Sequence, residues 1–132
     1  MAAAGVDVIV LCAEEHQPEA AVFPGVRVIR ARLDDAVPSD REWREAQAAA
    51  RQVADLALRG ACVIVTCHMG LNRSGLVVAL SLTYLGLSPR RAIALVRQRR
   101  RASPEGLTPL CNRWFVERLL GVRNARLTTA SN

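Results

Sequence analysis

With 132 residues, 51% of them hydrophobic, the chain is long enough for one domain with its own core and too apolar for low-complexity disorder. No apolar run reaches the roughly 20 residues of a membrane-spanning helix, and the four cysteines lack the spacing of a disulfide framework. The net charge of +6 comes from 18 arginines and no lysine, which favours anionic partners such as phosphorylated protein, nucleic acid or acidic lipid headgroups.

The first element in chain order is a buried strand over 6–13. It lacks the basic leading region of a signal peptide, and Asp7 interrupts its apolar run. After the turn-like Phe23-Pro24-Gly25, a second strand is expected over 26–31. Pro38-Ser39 then announces a helix, with Ser39 as cap and Glu42 three residues on, where a capping box needs it. Its apolar stripe is expected to be Trp43, Ala46, Ala50, Val53 and Ala57, and Gly60 ends it after about Arg59. A third strand is expected over 61–66, then a buried central helix over 76–85 capped by Gly86. Ser88-Pro89 starts another helix that ends in the basic run 97–101, and Thr108-Pro109 gives the same start signal for a last helix through Leu120. Strands alternating with helices predict an α/β fold with a small, mostly parallel central sheet flanked by helices. Residues 1–121 form one expected domain and 122–132 a C-terminal tail, in a reduced, cytoplasmic protein.

The segment Cys67-His68-Met69-Gly70-Leu71-Asn72-Arg73-Ser74-Gly75 joins the third strand to the central helix. Ligands gather at this edge of open α/β sheets, and a helix N-terminus presents unpaired N–H groups to anions. A thiol there is favoured as thiolate, while Arg73 adds a planar fork of donors suited to phosphate oxygens. Gly70 and Gly75 are expected to allow turns that bring successive N–H groups inward. One loop would then supply a nucleophile and a cradle for a tetrahedral oxyanion.

Val65-Thr66-Cys67 through Gly75 resembles the Cys-x5-Arg-Ser/Thr signature of cysteine-dependent protein phosphatases, with the order of parts of the dual-specificity branch. Asn112-Arg113-Trp114-Phe115 is similar to the end of small bacterial members. The resemblance runs from about Val6 to Leu120, begins at what is an inner strand of that family and implies its three-layer sandwich. It implies that Cys67 attacks phosphorus and forms a phosphocysteine, and that Arg73 with the backbone of His68, Met69, Gly70, Leu71 and Asn72 holds the substrate's oxygens. It also implies that Ser74 assists the departing thiolate, and that an aspartate on a separate upstream loop is the general acid. Asp34 and Asp35 stand 33 and 32 residues before Cys67, and the spacing favours Asp35. The implied substrate is phosphotyrosine in a protein, with phosphoserine and phosphothreonine as further candidates. Phosphate, sulfate or vanadate are expected ligands of the loop. No cofactor, metal, membrane or nucleic acid is implied. The family has histidine before the nucleophile, where this chain has Thr66, whose hydroxyl is expected to serve the loop instead.

Other readings compete. His68 reads as a rim residue, Cys12, Cys62 and Cys111 as core, and Cys62 as the candidate for a protective disulfide with Cys67. Asp34-Asp35 reads alternatively as a plain turn pair, and the basic run 97–101 either complements the helix dipole or docks acidic substrates. Asn112 and Phe115 are expected to fix and pack the last helix. A sulfurtransferase loop of the rhodanese type is one residue shorter, and an arsenate reductase needs further resolving cysteines. Cys12, His16, Cys62, Cys67 and His68 lack the spacing of a zinc site. A phosphate-binding pseudophosphatase, or a phosphatase of RNA 5′-phosphates or phosphoinositides, shares the loop chemistry.

Overall fold

The computed structural model describes residues 5–67, 72–99 and 109–122. Its elements are β1 (Val8–Ala13), a short 3-10 turn (Ala20–Val22), β2 (Arg27–Leu33), α1 (Asp40–Leu58), β3 (Val63–Thr66), α2 (Arg73–Tyr84), α3 (Pro89–Arg99) and α4 (Arg113–Leu120). The strands form one parallel sheet in the order β2-β1-β3, so the α/β architecture expected from the sequence is the one observed. Four expected features fall at residues outside those described: the basic end of α3 at Arg100 and Arg101, the start signal at Thr108, the loop residues His68 to Leu71, and the tail from 123 onward.

β1 is the middle strand and is buried along its whole length, which explains why it reads as an unbroken apolar run. Val8 pairs with Arg27 on one side and Val63 on the other, and Leu11 pairs with Arg30 and Thr66. That register brings the C-terminal ends of all three strands to one edge. A β-bulge lies at the same end: between Leu11 and Ala13, β2 carries one residue more than β1. Asp7, which breaks the apolar run, ties the feet of β1 and β3 together by accepting the Cys62 amide at 2.7 Å.

All four helices join one core with Val8, Val10 and Cys12 of β1 and Ile29, Ala31 and Leu33 of β2. On the opposite face, Val6, Ile9, Leu11 and Val26 form a smaller cluster with Phe23, next to the 3-10 turn that the sequence reading missed. α2 lies at the centre of the large core, with Leu76, Val77, Ala79, Leu80 and Tyr84 at most 2% exposed. The stripe on α1 is Ala46, Ala49, Ala50, Val53 and Ala54, with Trp43 and Leu56 packed beside it. Ala57 faces solvent, because a step of three from Val53 keeps Leu56 on the buried face.

The expected capping box is present: Ser39 Oγ accepts from Glu42 N at 3.1 Å and Glu42 Oε1 from Ser39 N at 2.9 Å. The second oxygen of Glu42 accepts the amide of Asp34 at 2.8 Å, so one buried carboxylate anchors both the helix start and the loop after β2. Burial pushes the Glu42 carboxyl up, but the Ser39 and Asp34 amides, the Ser39 hydroxyl and Arg41 outweigh it, leaving the carboxyl below its ordinary value. Its contribution is therefore complete above the unfolded value of 4.5 and fades as pH falls through the lowered folded value. Glu42→Ala should destabilise the fold by about 1–2 kcal/mol at pH 7. The gap to wild type in thermal melts should close in acid below that range; a gap that stays constant down to strongly acidic pH would contradict this.

Two expected helix starts move. α2 begins at Arg73, three residues before the apolar run. α4 begins at Arg113 with Asn112 as its cap, because Pro109 and Leu110 are occupied in a turn of their own. Leu110 is fully buried with φ 57°, and Arg97 donates to the carbonyls of Pro109 and Leu110 at 3.3 and 2.9 Å. Gly75 has a different task from the one expected: it lies inside α2, where a Cβ would stand 3.2 Å from Leu110 Cγ. Alanine would gain about 1 kcal/mol of helix propensity, yet overpacking against a neighbour already locked in place costs about 1–3 kcal/mol. Gly75→Ala should thus lower the melting temperature by a few degrees, and an unchanged or raised value would show that Leu110 can yield.

Candidate active site

The common edge of the sheet gathers three loops. β1 runs out into Glu14 and Glu15, β2 into Asp34 and Asp35, and β3 into Cys67, with α2 starting at Arg73. Cys67 Sγ lies 3.3 Å from the Oγ of fully buried Ser74, the second residue of α2. Cys67 also lines a cavity of about 210 Å³ with Leu11, Cys12, Ala13, His16 and Thr66. The two cysteines there differ in character. Burial, and then the charge of Cys67, push the Cys12 thiol far up against the opposing pull of Arg73, so Cys12 is a neutral sulfur.

Cys12 is core, as expected, but Cys62 and Cys111 are exposed. Cys62 precedes β3 and Cys67 follows it, so roughly 16 Å of extended chain separates them. That is more than twice the reach of a disulfide, and the protective pairing between them is geometrically closed. Among the described residues, Thr66 Oγ1 donates to Val10 O of β1 at 3.3 Å. Among the described residues no three His, Cys, Asp or Glu side chains group so as to hold a metal ion, and no helix is long and apolar enough to cross a membrane.

Arg73 is held by Glu15, a residue the sequence reading did not single out. The guanidinium donates to both Glu15 oxygens at 2.6 and 2.9 Å and to Leu33 O at 3.2 Å. The side chain of Arg73 is only 9% exposed and that of Glu15 is 56% exposed, so the pair straddles the protein surface. Hydrogen bonding to Glu15 raises the guanidinium's affinity for its proton, burial opposes this, and the charges of Glu15, Cys67 and Asp35 add to it. Arg73 thus shares one field with the nucleophile candidate and the acid candidate. The available sequence signal for Glu15 was its place just past the C-terminal end of a central strand.

The two aspartates separate clearly. Asp34 is engaged through its backbone amide by Glu42. Asp35 presents its carboxylate inward: Oδ2 accepts from Asn72 Nδ2 at 2.9 Å and Oδ1 from Asn112 Nδ2 at 2.8 Å. Asn72, the residue before α2, uses its side chain on this contact and gives α2 no side-chain cap. Asn112 caps α4 as expected, accepting from Trp114 N and Phe115 N at 3.0 and 3.2 Å. The structure therefore draws Cys67, Ser74, Arg73, Asp35 and Asn72 to one edge.

No family model and no curated protein matches this sequence. Solved structures do. Tk-PTP in its active form has a TM-score of 0.66 at 26% identity, over 90% of this chain and 81% of that one. Human DUSP28 has a TM-score of 0.65 at 24% identity, over 89% of this chain and 76% of that one. A mouse protein of the dual specificity phosphatase type, complexed with zinc tungstate, has a TM-score of 0.67 at 22% identity, over 89% and 71%. The chain thus has the fold of the dual specificity phosphatases, a family it resembles over about nine-tenths of its length.

Proposed function

We propose that the protein is a cysteine-dependent phosphatase that hydrolyses phosphotyrosine in proteins through a phosphocysteine intermediate, with phosphoserine and phosphothreonine as further candidate substrates. One observation carries the reading. Two segments distant in sequence, residues 67–74 and the loop at Asp35, deliver a half-buried cysteine beside a buried hydroxyl, a buried arginine and an aspartate held by two amides to the edge where parallel sheets bind ligands.

In the first step the Cys67 thiolate attacks phosphorus. The S–P bond forms as the bond to the leaving oxygen breaks, and Asp35 gives that oxygen its proton. Arg73 and the backbone N–H groups of residues 68 to 72 neutralise the equatorial oxygens, which carry the spreading charge of the transition state. In the second step Asp35, now a carboxylate, takes a proton from water. The water oxygen attacks phosphorus, and sulfur departs as a thiolate that accepts a hydrogen bond from Ser74. Phosphate is released, and phosphate, sulfate and vanadate are the expected inhibitors of the same loop. The oxyanion complexed by the mouse neighbour supports that expectation.

The test is a phosphosubstrate panel run with wild type, Cys67→Ser, Asp34→Ala and Asp35→Ala. Wild type should turn over phosphotyrosine peptides faster than RNA 5′-phosphates or phosphoinositides. Asp35→Ala should lose activity on poor leaving groups, whereas Asp34→Ala should keep it. Vanadate binding without turnover of any substrate would replace the enzyme with a phosphate-binding protein.

A further inference from the structure

An aspartate on an exposed loop has no packing to fix it. Residues 34 to 37 are all exposed, yet a proton donor must be held to within about 0.5 Å of its working position. What holds Asp35 is a closed ring of amides. Asn112 Nδ2 donates one hydrogen to Asp35 Oδ1 and the other to Ala36 O at 3.2 Å. Asn72 Nδ2 donates to Asp35 Oδ2, and Asn72 Oδ1 accepts the backbone N–H of Asn112 at 3.0 Å. We propose that Asn112 and Asn72 are positioning residues for the general acid, with the cap of α4 serving as the anchor that aims Asp35 at the leaving oxygen.

The argument turns on which atom each amide has to spare. Asn112 Oδ1 is committed to the first turn of α4, where it accepts two backbone N–H groups. The amide plane is therefore oriented by the helix, and its NH₂ group must face the acid loop. Both hydrogens of that NH₂ are used there, and Asn112 is 9% exposed, so water competes poorly for them. Asn72 is oriented in the same way by Asn112 N. Serine, threonine or aspartate would cap the helix as well as asparagine, but none offers two donors on the far side. A cap alone does not need asparagine; a cap that also steers a carboxylate does.

The inference rests on Asp35 being the general acid, and the experiment separates the two claims. Asn112→Asp keeps the cap acceptor and the shape, removes both donors and sets a carboxylate against Asp35. Asn72→Asp does the same from the other side. Turnover would be measured on a series of aryl phosphates from good to poor leaving groups. Wild type should vary little across the series, because a positioned acid offsets a poor leaving group. Asp35→Ala should fall steeply toward the poor end. Both asparagine variants should steepen in the same direction, the ratio of turnover between the best and the poorest leaving group growing by about 10–100-fold over wild type. A uniform loss across the series would mean a structural role only and would overturn the proposal. So would wild-type behaviour in both variants while Asp35→Ala is steep. A flat series for Asp35→Ala would remove the acid assignment itself and the positioning role with it. Melting temperatures of both variants identify a folding failure, and Asn72→Asp stands as a second probe that spares the α4 cap.

Discussion

Cys67→Ser is expected to lower turnover of an aryl phosphate by about four orders of magnitude or more while leaving vanadate binding measurable. A serine hydroxyl at this site is not ionised near neutral pH, and its oxygen is a far weaker nucleophile toward phosphorus than a thiolate. Among the described residues no other thiol can replace it. Cys12 is close by, but burial keeps its sulfur neutral, and Cys62 and Cys111 lie on the exposed surface. Ser74 is buried, and its hydroxyl is engaged with Cys67. The binding elements, by contrast, survive the exchange, since Arg73 keeps its partners. Steady-state rates with p-nitrophenyl phosphate and vanadate competition check both halves. Activity within about tenfold of wild type would remove Cys67 from the chemistry, because losing a unique nucleophile cannot have so small an effect.

The second large effect is expected at Arg73. Its fork already grips both oxygens of Glu15, and one donor also reaches Leu33 O. The remaining N–H directions are fixed by that grip, as an oxyanion receptor requires. Lysine has a point charge on a flexible stem and cannot hold a carboxylate bidentately while facing two phosphoryl oxygens. Arg73→Lys should reduce kcat by about 10²–10³, in the range for losing a preorganised oxyanion donor. Glu15→Ala should have a different signature. It strands a buried guanidinium, but Glu15 is half exposed, so the stability loss should be about 1–2 kcal/mol rather than that of a fully buried pair. A comparable loss of kcat should accompany it, because the fork is no longer aimed. Thermal melts and steady-state kinetics on both variants decide the matter; full activity in Glu15→Ala would mean that Arg73 is oriented by something else.

Much of the fold is legible in the residues because its signals act over short spans. The Ser39 and Glu42 box, the glycine stops at Gly60 and Gly86 and the unbroken apolar run of β1 each involve atoms within a turn or a strand of one another. The placement of Cys67 and Arg73 between a strand and a helix is legible for the same reason, as strand, cysteine, arginine and helix follow directly. What the residues hide is long-range. Thr108-Pro109 is as good a local start signal as Asn112, and it loses only because Leu110 must turn back to pack on Gly75. The partners of Asp35 lie 37 and 77 residues away, and the partner of Arg73 lies 58 away. No local pattern announces such contacts; they exist only once the parallel register has set the strand ends side by side.

Arg97 gives the architecture an unexpected tolerance. By fastening Pro109 and Leu110 onto α3, it makes the location of Asn112 independent of whatever path the chain takes through positions 100 to 108. Lengthening or shortening a tether whose two ends are pinned changes the closure entropy only slowly. A change in the number of residues between 100 and 108 can therefore be absorbed while the contacts of Asn112 with Asp35 and Ala36 stay in place.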